Sequence, residues 1–109
     1  RTGKIEKTVE AIQFIDTCVG GIVEHVRAAG GVSILTSSHG GCEEMSNVVT
    51  GEPQGTATAN PVPFHLIADG LNGTQLRSGG SLADVAPTIL ALFGIEKPAE
   101  MTGSDLLAA

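Results

Sequence analysis

From Ile34 the chain reads Ile-Leu-Thr-Ser-Ser, then His39, Gly40 and Gly41. An apolar run this short, entered from the Gly30-Gly31 pair, reads as a buried parallel strand over Val32 to Thr36. In an open parallel sheet, ligands collect beyond the carboxyl ends of the strands. His39 therefore stands where a metal ion or a phosphate would lie. A strand that hands a histidine and two glycines to its own end points to an α/β layer arrangement.

The flanking pattern agrees. Ile5, Val9, Ile12, Ile15, Val19, Ile22, Val23 and Val26 recur at steps of three and four, which predicts a helix over Lys4 to Ala29. Thr2 is its candidate N-cap, and Gly30-Gly31 supplies the left-handed position that ends a helix. The Gly20-Gly21 pair inside it reads as a surface for close packing against a sheet. Val62 to Ala68 reads as a second strand, held to an edge or a strand start by Pro61 and Pro63. Both strands are expected in one sheet, with both helices packed on it. Residues 37–60 lack an apolar period and carry several glycines, which suits a functional loop or a hairpin excursion. Leu82 to Phe93 reads as a second helix, with Pro87 near its first turn and Gly94 as its stop. The tail from Ile95 is expected over the sheet. The order helix, strand, strand, helix is part of an α/β layer fold, not a complete one.

Composition narrows the function. Twelve acidic residues against six basic ones give a formal net charge of −6. That balance repels a phosphate backbone, and the chain has no Trp or Tyr on which bases could stack. A nucleic-acid partner is not expected. No apolar run approaches the ~20 residues that span a bilayer, so no membrane association is expected. Two widely spaced cysteines read as free thiols of a reducing cytoplasm. The first residue is Arg1, close to a helix start, so the chain reads as a piece of something longer.

Three motif segments resemble the cofactor-independent (2,3-bisphosphoglycerate-independent) phosphoglycerate mutases of the alkaline phosphatase superfamily. Arg1-Thr2-Gly3 stands where that family has Gly-His-Thr-Gly. Thr36 to Met45 aligns with Thr-Ala-Asp-His-Gly-Asn-Ala-Glu-x-Met, and Thr56 to Pro63 with a motif ending Thr-Thr-Asn-Pro-Val-Pro. Leu82-Ala83-Asp84-Val85-Ala86-Pro87-Thr88 and Pro98-Ala99-Glu100-Met101-Thr102-Gly103 resemble its last helix and tail. The resemblance implies that residues 1–109 are the C-terminal segment of a phosphatase-type domain with a partial alkaline-phosphatase-like α/β/α layer fold.

It also implies a chemistry. The family interconverts 3-phosphoglycerate and 2-phosphoglycerate in glycolysis through a phosphoserine, with two manganese ions that activate the serine and neutralise phosphoryl charge. Of the metal positions this segment would supply, only His39 keeps a ligand. Arg1, Ser38 and Ala57 stand where the family has histidine, aspartate and histidine. The nucleophile lies outside the segment. The expectation is a chain inactive by itself that binds manganese no better than a surface histidine does. The alternative is a catalytically silent pseudoenzyme module used for binding or assembly.

Other readings stay open beside these. His39 also suits a plain hydrogen-bond cap of the strand end. Cys42 could be a thiol nucleophile or ligand, but no paired Cys-His set supports it. His25 reads as a surface side chain and His65 as a sheet-packed one. Glu43-Glu44 reads as a solvated loop face, and Asp84 as a first-turn carboxylate favoured by the helix dipole. Arg1, with Ser38 and the amides of Gly40 and Gly41, could hold a small phosphate-bearing ligand without metal. Expected partners are the remainder of a parent chain, or a second copy.

Overall fold

The computed structural model describes residues 4–46, 51–52, 55–71 and 73–107. They divide into two compact units, residues 1–72 and 73–109.

In the first unit the predicted helix runs over Ile5–Ala28 (α1). Its start falls at Lys4, which makes no side-chain cap bond, and Thr2 lies outside the described residues. Its end is a Schellman motif. Gly30 takes φ +76°, its N–H donates to the Arg27 carbonyl, and the Gly31 N–H donates to the Val26 carbonyl at 2.8 Å. No α1 residue is buried. Thr8, Val19, Val23 and Val26 are half-buried, whereas Ile5, Val9, Ile12, Ile15 and Ile22 on the same apolar stripe are exposed. A Cβ added at Gly20 or Gly21 would meet nothing within 4 Å, so the expected close packing at this pair is absent among the described residues.

The two strands are Ser33–Thr36 (β1) and Phe64–Ile67 (β2), and they form one two-stranded sheet as expected. They pair antiparallel, with Thr36 opposite Phe64 and Ser33 opposite Ile67. This corrects the parallel, buried reading of β1. The chain leaves β1 at Thr36 and re-enters β2 directly opposite it, with no crossover helix among the described residues between them, and a return of this kind pairs antiparallel. β1 is half-buried at Ser33 and Ile34 and exposed at Leu35 and Thr36. Arg27 fastens the C-terminal turn of α1 to the residue that follows Ala68, its guanidinium lying 3.2 Å from Asp69.

The second unit holds a 3-10 turn, Leu82–Asp84 (η1), that leads into a helix, Val85–Leu92 (α2). Ser81 and Asp84 form a capping box. A second Schellman motif ends α2, with Gly94 at φ +70° and the Ile95 N–H donating to the Leu90 carbonyl. Thr88 is fully buried. Its hydroxyl donates to the Asp84 carbonyl at 2.7 Å and accepts from the Leu106 N–H at 2.9 Å. The tail is thus tied back onto α2. Gly103 passes so close to the Ala83 carbonyl that no side chain fits there.

Candidate functional site

β1 runs out into Ser37, Ser38 and His39, all exposed. The Ser37 hydroxyl donates to the His39 carbonyl at 2.7 Å, which curls the chain back at the strand end. The His39 ring presents Nδ1 to the Ser38 hydroxyl at 3.2 Å. Beyond it, the Thr58 N–H donates to the Gly40 carbonyl at 3.0 Å, an isolated antiparallel bridge. The loop after β1 is thereby laid against the segment that leads into β2.

A carboxylate locks the two segments together. Glu43 Oε1 accepts the Gly41 N–H at 2.6 Å, while Oε2 accepts both the Thr58 hydroxyl and Asn60 Nδ2. Glu44 takes the same Asn60 amide at 2.6 Å. These donors, the Thr58 hydroxyl foremost and then Glu43's own N–H, Gly41 and Asn60, hold the Glu43 carboxyl down at about 2. The pair is more than a solvated face: Glu43 remains exposed, yet its oxygens are committed to protein donors. Gly40 is the residue this requires, because a Cβ there would collide with the Glu43 carboxylate and the Thr58 hydroxyl.

Beside this network lies an open cavity of about 450 Å³, lined among others by Thr8, Ser37, His39, Cys42, Met45 and Pro61. Its volume lies in the range of small-molecule sites. Cys42 is a free, exposed thiol. His25 is exposed as expected, but His65 is exposed too and not packed in the sheet. Arg1 lies outside the described residues. Ser38, His39, Gly40 and Gly41 do come together at the strand end. The Gly41 amide, however, already donates to a carboxylate. Asp84 is the capping-box acid expected of a first-turn carboxylate, and it also accepts the Ser104 N–H at 2.8 Å. The Ser104 and Ser81 amides depress its pKa.

Residues 1–97 match the family model described as Metalloenzyme superfamily. The chain belongs to that superfamily. It is 46% identical over 106 residues to a 2,3-bisphosphoglycerate-independent phosphoglycerate mutase of Pseudomonas fluorescens (strain Pf0-1), covering 97% of this chain and 20% of the relative. The corresponding enzyme of Rhodopirellula baltica (strain DSM 10527 / NCIMB 13988 / SH1) is 44% identical over the same shares. The structure of Leishmania mexicana phosphoglycerate mutase at low cobalt concentration superposes with a TM-score of 0.76 at 26% identity, over 94% of this chain and 21% of that one. The match is to the C-terminal segment of these mutases, and the α/β arrangement is accordingly a partial alkaline-phosphatase-like fold. The chain spans about a fifth of the length of the curated relatives it matches.

The superfamily uses metal, and the donor set here does not fit one. Among the described residues no three His, Cys, Asp or Glu side chains gather as a metal-binding group. Position 38, next to His39 in the chain, offers only a serine hydroxyl, and position 57 only an alanine methyl. Hard divalent cations ask for several converging oxygen or imidazole donors. None of the described helices is long and apolar enough to cross a membrane.

Proposed function

We propose that this chain is a mutase-type segment that supplies the wall of a phosphotransfer site around His39 and carries no phosphoglycerate mutase activity by itself. The observation behind this reading is the donor set at the end of β1: His39 is retained, while Ser38 and Ala57 replace a carboxylate and an imidazole. With one imidazole, a divalent ion has too few donors, and without that ion a serine nucleophile would not be activated nor the phosphoryl charge neutralised. In the family the ions are manganese, the reaction is glycolytic isomerisation and the setting is the cytoplasm. A phosphate-bearing ligand at Arg1, Ser38, Gly40 and Gly41 would have to displace Glu43 from the Gly41 amide. Loss of binding in Arg1→Ala would support that anion site, and equal binding would remove it.

A second reading, a silent module for binding or assembly, draws support from the exposed apolar stripe of α1. The two readings agree on catalysis and differ on partners. Conversion of 3-phosphoglycerate to 2-phosphoglycerate, assayed with the purified chain and added manganese, is expected to stay at background. Turnover that Ser37→Ala and His39→Ala abolish would refute the proposal.

A further inference from the structure

The residues retained from the two motifs and the residues lost from them separate by role. At the ligand positions, 38 and 57 are substituted. Glu43, Thr58 and Asn60, which coincide with the motif residues, are all present, and they bond to one another across 15 to 17 residues of chain. They do so on the two segments that bear positions 38, 39 and 57.

We infer that Glu43 is a positioning residue, a carboxylate latch that holds the His39 loop and the 57–60 segment in register with no metal ion between them. Three features carry this. Both carboxylate oxygens are used, one on each segment, so the side chain spans the gap as a bidentate ligand would. Charge-assisted bonds of this kind are roughly twice as strong as neutral ones. Gly40 leaves room for the latch, since any side chain there would occupy the place of the carboxylate. The Gly40–Thr58 backbone bridge lies directly under the latch and is what it closes.

The inference rests on the family reading of positions 38, 39 and 57, but its test is independent of the activity assay. Hydrogen exchange of the Thr58 amide reads the bridge, and the Gly31 amide, bonded to the Val26 carbonyl in the same unit, reports whether that unit stays folded. In the wild-type chain Thr58 protection is expected to be the same in chelator and in manganese. Glu43→Ala and Gly40→Ala are each expected to lower it about tenfold or more while Gly31 keeps its protection. Glu43→Gln, which retains one acceptor oxygen, should fall between. Wild-type protection that drops in chelator or rises with manganese would overturn the inference on its own. So would Glu43→Ala and Gly40→Ala chains that remain folded with Thr58 still protected.

Discussion

Two side chains at the residue scale show how differently a polar group can be held. Thr88 is fully buried, and its hydroxyl is the acceptor for the Leu106 N–H. Thr88→Val keeps the shape and leaves that amide unsatisfied, so a loss of about 1–3 kcal/mol is expected in denaturant unfolding. A change below ~0.5 kcal/mol would mean that water replaces the hydroxyl. Glu43 is exposed, and its contribution depends on charge. Its carboxyl is lowered from 4.5 to about 2, so the stabilisation is present above the unfolded value and is lost as pH falls through the folded one. The stability gap between wild type and Glu43→Gln should therefore narrow between about pH 5 and pH 2. Asp84 is also depressed, but it is common to both proteins and cancels in the difference. A gap independent of pH would show that the latch does not act through its ionised form.

At the scale of elements, the helix ends and the spans of the helices and strands are legible locally. Both helices end on glycines in the left-handed region, because a Schellman turn is specified by residues within one turn of the helix end. The spans of α1 and of both strands follow the apolar period to within a residue or two. The direction in which β1 pairs was not encoded in its own four residues, since an apolar run does not state the direction of its partner. The Glu43 network was equally hidden, as it joins residues that only the loop's return brings together. The signal in the sequence that points to it is the match of Glu43, Thr58 and Asn60 to motif residues. Gly20-Gly21 shows the opposite error, in which a familiar packing motif met open space. Gly20→Ala and Gly21→Ala are accordingly expected to raise stability by up to ~1 kcal/mol each, seen as a higher thermal midpoint. A lower midpoint would place a packed surface against that side of α1.

For the whole molecule, the apolar stripe of α1 is the dominant feature. Ile5, Ile12, Ile15 and Ile22 are 59%, 48%, 56% and 62% exposed, along one side of a 24-residue helix. Contiguous apolar surface of this kind is rarely left bare on a monomer. The chain is expected to self-associate with rising concentration in light scattering, and Ile12→Glu with Ile15→Glu to suppress it. A sharply monomeric wild type would show that the stripe is tolerated in water. The central claim, however, concerns the donor set at the end of β1, and manganese titration calorimetry of the wild-type chain reads it most directly. The expected result is no saturable heat beyond that of a surface histidine, unchanged in His39→Ala. A stoichiometric site of micromolar affinity or tighter, lost in His39→Ala, would contradict the account.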